Sequence, residues 1–255
     1  MEVICMKKTG MFLLAMMLCL GMVFSCSAEN RTILPPGGYP TSLDDEGADA
    51  YAGALDHKDS RYYKIVDYFW LDPDENLRIL PQFRTYQQTT EYTCGAASAL
   101  MVLVRFGVET YDEMALAEAM KTDPEKGTTV EGLAGFFESL GWTVDSHADT
   151  EYRFEDIDAW RAYLAEQLDA GVPVMVDLED WAGHWQVIVG LDSCGTEDPY
   201  DDVLILADPY DITDHCQDGY YIFPFGRFFD MWREGPCAAK EAPYVQPFVA
   251  AKPAS

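Results

Sequence analysis

Positive charge is scarce in this sequence. Its 44 aspartates and glutamates face only 17 lysines and arginines, for a formal net charge of −27. Such an excess repels phosphate backbones and anionic lipid, which argues against nucleic-acid binding and against unassisted attachment to a membrane surface. The expected consequence is a strongly solvated surface; the rival reading is an acidic cleft that prefers cationic substrates. Metal-binding spacings are absent too. No C-x-x-C and no H-E-x-x-H occurs, which leaves a zinc site without support. No internal repeat and no low-complexity tract is found. What remains is a chain of 255 residues, 49% of them hydrophobic, enough for one globular domain with a sizeable core plus an arm.

Only one apolar run is long. It extends from Met11 to Phe24, broken by Gly21 alone, and follows Lys7 and Lys8. It is too short to span a bilayer comfortably and has the charge-then-apolar order of a signal peptide. Met6-Lys7-Lys8 is a more natural start than Met1. Val23-Phe24-Ser25-Cys26 resembles a bacterial lipobox, in which Cys26 would be lipidated and become the first mature residue. Phe24 is unusual there, and ordinary cleavage after Ala28 would instead free the protein. The expectation is a lipoprotein-type signal peptide over 1–25 and a cell-surface or periplasmic protein, secreted otherwise, that meets the membrane only through a lipid on Cys26.

Residues 26–60, rich in Pro, Gly, Asp and Ala, read as a tether or loosely packed arm. A folded domain is expected over 61–240 and a C-terminal tail over 241–255. Strands are expected at Tyr62–Trp70 and, broken by Pro81, at Leu77–Tyr86. From Cys94 the period changes: Ala97, Leu100, Met101 and Val104 mark a helix that Gly107 stops. Thr110 with Glu113 and Thr128 with Glu131 have the spacing of capping boxes for two more helices, and Phe154–Leu168 reads as a fourth. After Pro173 come short apolar runs at Val174–Leu178, Trp185–Leu191, Val203–Ala207 and Tyr220–Phe223, then a short helix at Arg227–Arg233. Helices first and strands later is an α+β order.

Cys94 stands where a polar loop, Gln88-Thr89-Thr90-Glu91-Tyr92-Thr93, meets an apolar helix. A helix N-terminus, with its unpaired N–H groups and positive dipole end, favours a thiolate, the nucleophilic form. From spacing alone a buried structural cysteine fits as well. There are four histidines. His57 lies in the arm, and His147 and His215 in acidic loops, whereas His184 opens the strand Gly183-His184-Trp185-Gln186-Val187-Ile188-Val189-Gly190. Asp208 ends the strand Val203–Ala207, where a carboxylate could orient the imidazole. Asp211 and Asp192 are weaker competitors. Cys194, Cys216 and Cys237 lie in turn-rich segments of an exported chain, so one disulfide among them is expected, with the pair left open.

Taken together, QTTEYTCGAASALMVLVRFG, GTTVEGLAGFFESLG, GVPVMVDL, GHWQVIVGL and VLILADPYD resemble the bacteriocin-processing (double-glycine) type of papain-like cysteine peptidase, over residues 80–235. The resemblance implies a papain-like α+β fold, its helical part led by the nucleophile helix and packed on a C-terminal antiparallel β-sheet. It implies Cys94 as nucleophile, His184 as base, Asp208 as its orienting partner and Gln88, six residues before the cysteine, as oxyanion donor, with Gln87 as the adjacent alternative. Ala96 departs from the proline common in the family. No transporter domain follows, so a stand-alone exported member is expected, acting on a peptide or protein substrate without a cofactor. A cell-wall amidase or acyl transferase on the same fold, and a non-catalytic binding lipoprotein, are the alternatives.

Overall fold

The computed structural model describes residues 66–179, 183–212, 217–234 and 244–254. The export segment, the arm, Cys26, His57, His215, Cys216 and Cys237 lie outside them. A 3-10 turn at Tyr68–Trp70 leads into β1 (Leu77–Ile79). Helices α1 (Cys94–Arg105), α2 (Glu113–Ala119) and α3 (Val130–Ser139) follow. Then come β2 (Thr143–Asp149), α4 (Ile157–Asp169), β3 (Val174–Glu179), β4 (Gly183–Asp192), β5 (Val203–Ala207) and β6 (Tyr220–Pro224). The last elements are α5 (Phe225–Glu234) and β7 (Val245–Lys252).

These strands join one antiparallel sheet in the order β2-β7-β3-β4-β5-β6, with β1 paired to β4 beyond the end of β3. The segment expected to be a C-terminal tail is therefore an interior strand, hydrogen-bonded to β2 on one side and β3 on the other, and the domain runs past residue 240. Helix α1 packs on β4, α3 on β2 and β7, and α5 on β3 and β7. With helices against both faces, β3 and β4 are buried along nearly their whole length, which is why they read as continuous apolar runs rather than alternating ones. Phe248 of β7 joins Phe154, Trp160 and Trp232 in an aromatic cluster whose Trp160 and Trp232 rings stand 4.5 Å apart.

Local expectations shift in four places. Residues 68–70 form the 3-10 turn rather than a strand, and the strand from Leu77 ends at Ile79. The cap of α2 is Asp112, whose Oδ1 accepts the Ala115 N–H at 2.8 Å, and not Thr110. That of α3 is Thr129, accepting from Gly132 N–H at 3.1 Å, while the Thr128 hydroxyl pairs with Thr122 at 2.7 Å. Either hydroxyl of a Thr-Thr pair can cap, and the backbone path decides.

Candidate active site

Cys94 is the first residue of α1. Every residue of the helix through Val104 is buried, so α1 is held on all sides and its start cannot drift. Three contacts fix that start against the sheet. Gly95 lies so close to Thr128 that a Cβ would stand 2.6 Å from the threonine Cβ and Oγ1. One turn on, the Ser98 hydroxyl donates to the Trp185 carbonyl at 3.2 Å. The Trp185 indole N–H in turn donates to the Thr128 carbonyl at 2.8 Å. The tie among α1, the entrance to α3 and β4 thus falls one residue from Cys94 and one residue from His184.

His184 Nε2 meets Asp208 Oδ1 at 2.7 Å, with both side chains almost wholly enclosed. That leaves Nδ1 for the other side of the ring, where the imidazole shares a hydrogen bond with Cys94. Burial by itself lowers the affinity of the ring for a proton. The Asp208 carboxylate overcomes this through charge and hydrogen bond, Cys94 adds to it, and the pKa rises to about 10. Asp208 moves the opposite way: burial would raise it, but the imidazolium holds it below the usual carboxylate range. Two further donors keep it ionised, the Gln186 amide on Oδ2 at 2.9 Å and the Tyr210 N–H on Oδ1 at 2.8 Å. Cysteine, imidazolium and carboxylate form one buried chain of contacts.

The adjacent glutamines divide sharply. Gln87 is committed at both ends: its Nε2 donates to the Asp208 carbonyl at 2.8 Å, and its Oε1 accepts the Asp211 N–H at 3.1 Å. It is a clamp on the Asp208 loop, with both its amide nitrogen and its amide oxygen engaged there. Gln88 uses one N–H of its amide on the Thr90 carbonyl at 2.6 Å and keeps the second. Its backbone N–H donates to the Pro209 carbonyl at 2.8 Å, which brings the loop before Cys94 beside the loop after Asp208. Across the same seam, Tyr210 stands edge-on to His184 and donates its hydroxyl to Glu91 at 2.8 Å.

The competitors lie elsewhere. His147 is on β2, separated from β4 by two intervening strands, with its Nε2 at 2.8 Å from the Glu151 carbonyl. Asp192 is at the other end of β4, about 27 Å from His184 at strand rise. Asp211 accepts the Gly219 N–H at 2.8 Å. Cys194 is an exposed free thiol, outside any disulfide, pushed up by partial burial and then by Asp192, Asp202 and Asp201. The other two cysteines of the expected bridge, Cys216 and Cys237, lie outside the described residues. Among the described residues no group of three or more His, Cys, Asp or Glu is placed to hold a metal ion.

With the geometry established, the chain can be set beside known proteins. The Peptidase_C39 like family matches residues 80–238. The chain belongs to that family. Its helices followed by an antiparallel sheet are the papain-like α+β layout. The solved structures that resemble it include the peptidase domain of Streptococcus ComA, a bi-functional ABC transporter involved in quorum sensing. That domain is 19% identical, with 68% of this chain and 99% of that one covered, at a TM-score of 0.45. Another is a double glycine motif protease from an AMS/PCAT transporter in complex with its leader peptide. It is 14% identical, with 67% and 91% covered, at a TM-score of 0.39. At such distances the likeness says nothing of this chain's activity or substrate. No curated protein matches.

Two residues at the site escaped the reading of the sequence. Gln186 is the only polar side chain between Trp185 and Leu191, two residues after His184 and so on the same face of the strand. That isolation within an apolar run was the available signal. Glu113, taken for half of a capping box, is a fully buried acid.

Proposed function

We propose that this chain is an exported cysteine peptidase that hydrolyses peptide or amide bonds through a thioester. The observation that carries the reading is the buried chain of contacts from Cys94 to His184 to Asp208, with the imidazole held as a cation. The Cys94 thiolate attacks the substrate carbonyl carbon, and the carbonyl π electrons move onto oxygen. That oxyanion is met by the free N–H of the Gln88 amide and by the Cys94 backbone N–H, which has no intrahelical partner in the first turn. His184 gives its proton to the leaving amine as the C–N bond breaks, leaving an acyl thioester on Sγ. Neutral His184 then takes a proton from water as the hydroxyl adds to the thioester, and the thiolate departs to restore the ion pair. Asp208 stays ionised throughout and keeps Nε2 engaged, so that Nδ1 faces the sulfur.

Export follows from Lys7, Lys8 and the apolar run to Phe24, and tethering from Ser25-Cys26. A peptide or protein outside the cytoplasm is the substrate of such an enzyme. The test is incubation of the mature protein with a defined peptide mixture and mass analysis of the products. Cleavage that disappears in both Cys94→Ala and His184→Ala supports the proposal. Products joined to an added amine would make it an acyl transferase, release of cell-wall stem peptides alone an amidase, and tight binding without turnover a binding lipoprotein. Cleavage that survives His184→Ala would overturn the assignment.

A further inference from the structure

Glu113 is a fully buried carboxylate outside the proposed triad, at the first position of α2. Charged side chains are almost never enclosed to this degree without dedicated partners. Its partners all belong to one short segment, residues 86–93. Oε2 accepts the Tyr86 hydroxyl at 3.0 Å and the Thr89 hydroxyl at 2.8 Å. Oε1 accepts the Thr89 backbone N–H at 3.0 Å and the Thr93 hydroxyl. Because the Thr93 proton goes to Glu113, the 2.8 Å contact between the Thr90 and Thr93 hydroxyls must be donated by Thr90. The chain of donors therefore runs Thr90 to Thr93 to Glu113. Burial pushes the Glu113 carboxyl up, and the bonds from Thr93, Thr89 and Tyr86 oppose it.

The segment so gathered is the one that carries both proposed oxyanion donors. Gln88 is fixed on either side: its own N–H by the Pro209 carbonyl, the next N–H, that of Thr89, by Glu113. Its side-chain amide rests on the carbonyl of Thr90, whose hydroxyl belongs to the same network. At the other end, Thr93 is the residue whose peptide bond holds the Cys94 N–H. We propose that Glu113 is a positioning residue that sets the Gln88 amide and the Cys94 N–H at one common point, so that both donate to the same developing oxygen. This rests on the peptidase reading above. It adds that the oxyanion site is built from beneath, by a carboxylate on a different helix, rather than by the loop alone. Each donor is worth on the order of 10²–10³-fold in turnover when correctly aimed, and that worth falls steeply with misalignment.

The experiment separates oxyanion binding from thiol reactivity. Acetyl-Gly-glycinal, an aldehyde with no side chains to suit a particular pocket, adds the Cys94 sulfur to its carbonyl carbon, and the resulting oxygen occupies the oxyanion site. The corresponding alcohol cannot form that bond and reports peptide binding alone. Iodoacetamide reports the thiol without using the oxyanion site. Glu113→Gln should lower the aldehyde-to-alcohol affinity ratio at least about tenfold, with the alkylation rate of Cys94 held within about threefold. Gln88→Ala should lower the ratio in the same way. In the double variant the ratio should fall below that of Gln88→Ala alone, but by clearly less than the product of the two single losses, because Glu113 then has only the Cys94 N–H left to aim. If Glu113→Gln does not fold, Thr93→Val removes one hydroxyl from the network, with its bonds to Glu113 and Thr90, and should give the same pattern at smaller amplitude. An unchanged ratio, losses that multiply in the double variant, or an alkylation rate that falls as far as the ratio would each overturn the proposal for Glu113. A wild type that forms no adduct, or an adduct that survives Cys94→Ala, would defeat the peptidase reading itself and this inference with it.

Discussion

Gln87 and Gln88 are neighbours of the same type, and the structure predicts that their loss will have opposite signatures. Gln87→Ala strips two buried groups of their partners, the Asp208 carbonyl and the Asp211 N–H, at bonds of 2.8 and 3.1 Å. Each orphaned group costs about 1–3 kcal/mol, so a central figure is about 4 kcal/mol for the pair. At about 3 °C per kcal/mol for a domain of this size, the melting temperature should fall by about 12 °C, less if a water enters the gap. Gln88→Ala removes one bond, to the Thr90 carbonyl, and should cost only about 1 kcal/mol. It should instead lower kcat by on the order of 10²–10³-fold with KM nearly unchanged, because the charge it meets exists only in the transition state. The assays are thermal unfolding and steady-state peptide cleavage on the two variants in parallel. A Gln88→Ala enzyme with full kcat, or a Gln87→Ala protein that melts like wild type, would refute this division of labour.

Three more outcomes follow from the same contacts. The folded-state pKa of His184 lies above its unfolded value near 6.5, so its contribution to stability is complete below pH 6.5 and fades as pH rises toward about 10; that of Asp208 is lost instead as pH falls through the carboxylate range. The stability gap between wild type and Asp208→Asn, followed by denaturant unfolding, should therefore be widest between about pH 4 and 6.5 and narrow on either side; a gap that widens toward pH 10 contradicts the ion pair. Gly95→Ala forces a Cβ to 2.6 Å from Thr128 and should destabilise by about 1–3 kcal/mol while slowing cleavage, whereas a neutral result would mean that α1 and Thr128 part easily. Cys26→Ser should release the protein from the membrane fraction or block its maturation, and a wild-type mature chain beginning at Glu29 would show free secretion instead.

How far the chain could be read beforehand depended on burial. Strands β3, β4 and β5 were legible to within two residues because both faces are covered and the apolar runs are unbroken. Helix α1 was legible from four apolar positions although every residue through Val104 is buried. Strand β2, Thr-Val-Asp-Ser-His-Ala-Asp, is an edge with neither alternation nor an apolar run, so only its pairing with β7 makes it a strand. Strand β7 in turn owes its place to long-range pairing with β2 and β3, which no local window contains. At the site, Cys94, His184 and Asp208 were visible as residue types at element ends and Gln88 only through the family resemblance, and the structure brings their segments together. Which of two adjacent glutamines turns toward the Asp208 loop was not visible. Nor was the role of Glu113, because its partners are twenty to twenty-seven residues upstream and are polar residues that also suit an exposed loop.

The central claim is that His184 holds Cys94 as a nucleophile. Cys194 is the internal control, an exposed thiol pushed up by partial burial and nearby carboxylates, while Cys94 is only 6% exposed. Accessibility alone therefore favours labelling at Cys194. The decisive measurement is the iodoacetamide rate at each cysteine at pH 6, by peptide mass mapping, in wild type and His184→Ala. An ordinary thiol with pKa near 8.5 is only about 0.3% thiolate at that pH. The account predicts that Cys94 reacts at least about tenfold faster than Cys194 in wild type and loses that advantage in His184→Ala. Equal rates at the two cysteines, or a Cys94 rate indifferent to the loss of His184, would contradict it.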